Sequence, residues 1–140
     1  MQFYIYDFSE YVDCDVEADG LFPGYPLLEN YWTEPGERFP YLVKSNEKFI
    51  GFALIRILPD LDNRYSIGEF FIMKKYRRSG IGSSVALELF ARYKGLWEVH
   101  QRTNNIPAQA FWIKVIDLYT KGQYTDEYVD GKRLQLFSSL

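Results

Sequence analysis

The sequence predicts a mixed α/β (α+β) fold in a single domain, residues 1–140, with a mixed central sheet of about seven strands flanked by about four helices. Three observations point there. Aromatic and β-branched runs of strand length recur between clusters of Gly, Pro, Asn and Asp. Two later segments carry apolar residues at helical period, each directly after a strand-like run. A chain of 140 residues can also bury about 70% of its unfolded surface around one core, so it needs no disulfide or metal.

The elements are read in chain order. Gln2 to Phe8 reads as a first strand, and Ser9 or Asp13 caps a short helix ending near Gly20. Pro23, Gly24 and Pro26 force a loop. Leu27 to Thr33 reads as a second short helix, stopped by Pro35 and Gly36. Phe39 to Lys44 and Phe49 to Leu58 form a hairpin around Ser45-Asn46-Glu47, and Tyr65 to Met73 makes the next strand. Gly80 to Tyr93 is a helix whose Ile81, Val85, Ala86, Leu89, Phe90 and Tyr93 mark the buried face, and Lys94-Gly95 ends it. A strand at 96–101, a helix at 106–119 and two strands at 122–129 and 132–137 around Asp130-Gly131 complete the order β-α-α-β-β-β-α-β-α-β-β.

Charge is uneven. The first basic residue is Arg38, whereas Asp7, Glu10, Asp13, Asp15, Glu17, Asp19, Glu29, Glu34 and Glu37 precede it, within a formal net charge of −3. The basic residues beyond it include a patch confined to one short segment, Lys74 to Arg78. That arrangement suits a compact polyanion, whereas a nucleic-acid surface would spread Lys and Arg over a face, so nucleic acid is not an expected partner. No apolar run approaches the roughly 18 residues of a membrane span and the first residues lack a signal-peptide pattern, so a cytoplasmic protein without a membrane partner is expected. The lone Cys14 fits a reducing compartment.

The chemistry concentrates in Glu69-Phe-Phe-Ile-Met-Lys-Lys-Tyr-Arg-Arg-Ser-Gly-Ile-Gly-Ser83, a strand run passing through the basic patch into a glycine turn and a helix. Glycines permit a tight turn and close approach, and a helix N-terminus offers free N–H groups and a positive dipole end to a phosphate. Neither familiar nucleotide loop fits: a dinucleotide fingerprint needs glycine where Val85 stands, and Gly-Lys-Ser/Thr occurs nowhere. The segment resembles motif A of the GCN5-related N-acetyltransferases (GNAT family), Arg/Gln-x-x-Gly-x-Gly/Ala, through Arg77, Gly80 and Gly82. Asn105, Ala108 and Phe111 resemble the family's motif B, Asn-x-x-Ala-x-x-Phe-Tyr. Trp112 stands at the tyrosine and Ile116 near the family's later Gly-Phe. Taken alone, the first segment also suits a basic turn capping a helix, and Ala108, Phe111, Trp112, Val115, Ile116 and Tyr119 also form the stripe of an amphipathic helix.

The resemblance covers the element order of the whole chain. It implies an N-acetyltransferase that binds acetyl-coenzyme A in a gap between two splayed parallel strands and passes the acetyl group to a primary amine by direct attack in a ternary complex. Arg77, Arg78, Ser79, Gly80, Ile81, Gly82 and Ser83 would hold the pyrophosphate, with Lys74 and Lys75 adding charge. The backbone of Ile72 and Met73 would pair with the pantetheine arm and supply an amide to the thioester carbonyl. Asn105 would reach the arm, and Phe111 and Trp112 would line its thiol end. A base must take a proton from the amine: Glu69 is the first candidate and His100, the only histidine, the second. Tyr119 and Tyr124 are candidates for the acid, because an indole is not a useful proton donor. No metal site is expected.

The alternative from another class is a non-catalytic acyl-coenzyme A sensor of the same fold, favoured by the missing tyrosine. A structural interaction domain would leave the glycine turn unexplained. The acceptor, a small molecule or peptide amine, is not identified by the sequence. Carboxylates among Phe22, Tyr25, Tyr31 and Trp32 favour a cationic one, and a solvated acidic face accounts for them equally. Homodimerisation stays open.

Overall fold

The computed structural model describes residues 1–140. Six strands, β1 (Arg38–Ser45), β2 (Lys48–Leu58), β3 (Arg64–Ile72), β4 (Gly95–Arg102), β5 (Tyr124–Val129) and β6 (Lys132–Ser139), form one sheet in the order β1-β2-β3-β4-β6-β5. Four helices accompany them: α1 (Gln2–Phe8), α2 (Asn30–Thr33), α3 (Ile81–Arg92) and α4 (Ile106–Thr120). The β1-β2 and β5-β6 hairpins close through Asn46-Glu47 and Asp130-Gly131, all four residues at positive φ. That conformation gives the tight turn whose twist matches the flanking strands.

Residues 2–8 are a correction to the sequence reading. Gln2–Phe8 is the helix α1, not a strand, so the sheet has six strands rather than about seven. Its aromatic composition favours a strand, but tertiary packing decides. Tyr4 and Phe8, one helical turn apart, stack at 5.6 Å, and Tyr4 meets Phe52 and Phe71 of the sheet at 5.5 and 5.9 Å. The helix expected between Ser9 and Gly20 does not form either. That stretch lacks an apolar stripe, and its far end is tied back to α1 by Gln2, which donates to the Phe22 carbonyl and accepts from the Phe22 amide. The expected 27–33 helix shortens to one turn, α2.

The sheet's two faces differ in cover. On one face α3 and α4 enclose the core, where Ala53, Ile55, Ile67, Phe90, Trp97, Val115 and Ile116 are buried. Fully burying a large apolar side chain such as Phe90 is worth about 1.5–3 kcal/mol. A polar chain crosses this core face: Gln101 donates to Gln135 at 2.7 Å, and Gln135 donates to Asp126 at 3.0 Å. Arg133 grips the same carboxylate at 2.6 and 2.9 Å. Gln109 of α4 donates to the carbonyls of Arg102 and Thr103. On the opposite face lie α1, the 9–29 segment and α2, over Phe52, Arg56, Glu69 and Phe71.

One feature of the sheet positions the site. β3 and β4 run parallel but pair only at Tyr65 with Trp97 and Ser66 with Glu98. Beyond those residues the strands diverge. Gly68 sits in the register irregularity of β3 opposite Leu54 and Ile55. A Cβ there would lie 2.5 Å from the Tyr31 hydroxyl, so only glycine lets that buried tyrosine approach.

Candidate active site

The glycine turn lies at the open end of the divergence. β3 ends at Ile72, a 3-10 turn covers Lys74–Tyr76, and α3 begins at Ile81. Arg78 has φ 60° and Gly80 φ 85°, so the chain turns twice through the left-handed region. Gly80 caps α3 without a side-chain cap, and the first helical bond is from Ser84 to Gly80. The N–H groups of Ile81, Gly82 and Ser83 therefore lack helical partners, which is the arrangement an anion requires. Gly82 is needed for a different reason: a Cβ there would stand 3.3 Å from the Phe111 ring and 3.7 Å from Ile72.

The basic patch is less free than its sequence suggests. Arg77 donates to the Ile72 carbonyl at 2.7 Å and to Asp7 of α1 at 2.5 Å, and Lys74 lies 3.6 Å from the same carboxylate. Lys75 sits 5.7 Å from the Tyr76 ring centroid, and Arg78 makes no ion pair. Arg77 thus staples the turn to α1, while Lys75 and Arg78 stay uncommitted.

Backbone alternation decides which strand groups face the gap. Met73 donates its amide to the Ile50 carbonyl at 2.8 Å. The antiparallel register with β2 then turns the Glu69 and Phe71 amides toward β2, and those of Phe70 and Ile72 away from it, toward the divergence. Of the two residues expected to offer an amide, Ile72 faces the gap and Met73 is engaged elsewhere.

Asn105 caps α4, its Oδ1 accepting the Ala108 amide at 3.2 Å. Phe111 packs on Phe70 at 5.7 Å and on Trp112 at 4.9 Å. Trp112 is only 6% exposed and packs edge-on to Phe70, so it belongs chiefly to the core. Tyr119 bonds to the Phe90 carbonyl and the Ser139 hydroxyl, at the end of α3 remote from the glycine turn. Tyr124 pairs with Phe137 on the edge strand. Neither faces the divergence.

The two base candidates lie on the face opposite the core, on either side of the divergence. Glu69 is half-buried and accepts a hydrogen bond from Tyr4. Burial raises its pKa above the ordinary carboxylate value, with hydroxyls of Tyr4 and Tyr25 and the charge of Arg56 pulling the other way. His100 faces the same side from β4, and burial, with Lys132 and Arg56 nearby, lowers its pKa. Sequence reading missed Tyr4, Asp7 and Arg56 at this site. Arg56 carried one legible signal, a lone charge within Phe52-Ala-Leu-Ile-Arg-Ile-Leu58.

The acidic cluster does not converge. Asp13, Asp15, Glu17, Asp19, Glu29 and Glu37 are exposed, Glu34 pairs with Arg38 at 2.5 Å, and Trp32 is 62% exposed. Tyr25 and Tyr31 do approach Glu69. Of two surface hollows of about 300 and 330 Å³, the one lined by Arg64, Leu96 and Leu136 lies apart from the glycine turn, and the one between β1 and α3 begins at Ser84, on the flank of α3 facing β1.

No curated protein matches this sequence. Solved structures do match its fold. The ribosomal-protein-S18-alanine N-acetyltransferase of Escherichia coli superposes with a TM-score of 0.58 at 15% identity, over 83% of this chain and 79% of its own. A Bacillus subtilis acetyltransferase in complex with CoA gives 0.58 at 12% identity, over 82% and 85%. A GNAT family acetyltransferase from Elizabethkingia anophelis with acetyl-CoA bound gives 0.55 at 18%, over 84% of each chain. At such identities the likeness establishes the fold. No helix is long and apolar enough to cross a membrane. The model of the Acetyltransferase (GNAT) family matches residues 5–115, from α1 through the glycine turn into α4, and the chain belongs to that family.

Proposed function

We propose that residues 1–140 act as one domain that moves the acetyl group of acetyl-coenzyme A to a primary amine. The observation that carries this reading is the divergence of β3 and β4 beside the unpartnered amides of Ile81, Gly82 and Ser83. Those amides, with Lys75 and Arg78, suit a pyrophosphate. The backbone of Phe70 and Ile72 offers hydrogen-bonding groups along the gap to an amide-bearing arm, and Phe111 closes the gap's floor against Gly82.

Bound acetyl-coenzyme A supplies an activated acyl carbon and a thiolate leaving group whose pKa of about 8.5 makes its departure feasible near neutrality. The Ile72 amide, directed toward the gap, would stabilise negative charge developing on the carbonyl oxygen. Glu69 takes the proton that the acceptor nitrogen sheds as the N–C bond forms and the C–S electron pair leaves with sulfur. Its raised pKa brings it closer to a useful base at neutral pH. His100, neutral at that pH, stands across the divergence as the alternative base.

Melting curves and thiol release test the proposal together. Acetyl-coenzyme A should raise the melting temperature with the logarithm of its concentration once saturating, and free thiol should appear when amines are added. A cofactor-dependent shift without thiol release from any amine would favour a sensor, the reading that the buried Trp112 at the motif B tyrosine position supports. No shift at millimolar cofactor would overturn both.

A further inference from the structure

Beside Glu69 the sheet holds a cation with no partner. Arg56 of β2 is the register partner of Ser66 on β3, which in turn pairs with Glu98 on β4, so the three form one row at the root of the divergence. The guanidinium makes no ion pair and no hydrogen bond within the chain, and its Nε is buried without a partner. The hydroxyl of Ser66, whose residue is 0% exposed, is likewise buried and unpartnered. Both side chains lie on the face that carries Glu69 and His100. The nearby acids are otherwise committed: Glu98 pairs with Arg64 at 3.2 Å, and Glu69 accepts from Tyr4. Arg56 is close enough for its charge to act on Glu69, Tyr25, Tyr31 and His100, which places it on the sheet face under α1 and α2.

Buried polar groups are almost always satisfied, and the exceptions ask for a ligand or a function. A guanidinium fork beside a hydroxyl donor matches a carboxylate, which accepts two parallel N–H bonds and a third donor on its remaining lone pairs. Resting on the acetyltransferase reading above, we infer that Arg56 and Ser66 form the anion subsite of the acceptor pocket, so that the acceptor is a primary amine bearing a carboxylate, of the amino-acid class. Glu69 is the register partner of Leu54, two residues from Arg56. Glu69 and Arg56 are therefore diagonal neighbours across the two strands, a relation that sets residues about 7–8 Å apart. Two side chains converging from that spacing can hold an amine and a carboxylate separated by only a few bonds. The acceptor's anion therefore sits on Arg56 while its nitrogen faces Glu69 and the gap.

The test compares matched amines at saturating acetyl-coenzyme A: L-α-amino acids and β-alanine against their carboxamides and decarboxylated analogues, read by thiol release. At least one carboxylate amine should exceed its carboxamide by about 10-fold or more in kcat/KM, the size of a charge-assisted hydrogen-bond pair. Arg56→Met should bring that ratio to near one, chiefly through KM; Arg56→Lys should restore part of it and Ser66→Ala should reduce it severalfold. The ratio is the readout because Arg56 also acts on Glu69, an effect shared by both members of a pair. Equal kcat/KM for carboxylates and carboxamides, or an Arg56→Met loss identical for both, overturns the subsite. An unchanged cofactor-induced melting shift in each variant shows that it is folded. Calorimetric titration of the same amino acids into the coenzyme A complex separates this inference from the reading it rests on. Carboxylate binding that Arg56→Met abolishes sustains the subsite even if no thiol is released, whereas thiol release without carboxylate preference sinks the subsite and leaves acetyl transfer standing.

Discussion

Replacing Glu69 by glutamine removes the proton acceptor and little else. The glutamine carbonyl can still accept from Tyr4, and the volume is unchanged. Loss of a positioned base typically costs about 10²-fold in turnover, equivalent to about 2.7 kcal/mol of barrier. The pH profiles distinguish this from damage. Burial holds the folded-state pKa of Glu69 above its unfolded value, so activity that needs the carboxylate falls as pH drops through that raised pKa. Stability runs the other way. Between the two pKa values the native state binds more protons than the unfolded chain, so stability declines as pH rises through the window. Glu69→Gln should erase both the acidic limb of kcat/KM and that decline, while acetyl-coenzyme A still raises the melting temperature. Steady-state thiol release from about pH 5 to 9 with parallel melting curves reads all three quantities. Near-parent turnover with the acidic limb intact would refute the assignment and move the base to His100 or to solvent.

Contacts at the gap set three further outcomes. Gly82→Val should cost about 1–3 kcal/mol by forcing the Phe111 ring away and should abolish the cofactor-induced melting shift; an unchanged shift would separate Phe111 from the cofactor path. Trp112→Phe should lower stability by about 1–2 kcal/mol through lost burial and a small cavity and retain most turnover, and a selective collapse of turnover in a stable variant would give the indole a part in the chemistry. Asp7→Asn should cost at most about 1 kcal/mol, since its ion pairs are partly exposed. By freeing Arg77 and Lys74 it should tighten acetyl-coenzyme A severalfold at low salt, an effect that fades with added salt and is checked by titration at two ionic strengths.

Where the determinants are local, the sequence carried them. Asn46-Glu47 and Asp130-Gly131 tolerate left-handed backbone, so the hairpins were readable from turn chemistry, and the apolar period of α3 and α4 gave both helices to within a residue or two. The glycine turn was legible from Gly80 and Gly82 standing between a strand-like run and an apolar-periodic helix. What failed depends on partners far away in the chain. Arg56 stands out in sequence only as a lone charge in an apolar strand, and its setting is defined by Ser66 and Glu98 beside it; Gly68 explains itself only through Tyr31. The Gln101–Gln135–Asp126 chain unites β4, β5 and β6, which no local pattern can announce. The oxygen of Asn105 proved to cap α4, a role that its position before Ile106-Pro107 would also have suggested.

The misread first segment shows why helix wins over strand there. Tyr4 must reach Glu69 on one side of the sheet face while Asp7 reaches Arg77 at the glycine turn. In a strand, residues 4 and 7 would point to opposite faces; in a helix, three residues apart, they share one. Phe8 then falls on the same stripe and stacks on Tyr4 over the Phe52–Phe71 pair, while Phe3 and Tyr6 are left 69% and 65% exposed on the other side. A single helical turn thereby fixes the proposed base and the basic end of the cofactor turn relative to one another. The acidic character of the first residues acquires a meaning at Asp7, whose carboxylate pairs with Arg77 and lies near Lys74, offsetting part of their charge. Lys75 and Arg78, which make no ion pair, then lie at the turn itself, and Arg56 lies at the root of the divergence, where an acceptor's carboxylate would leave its amine facing Glu69 and the gap.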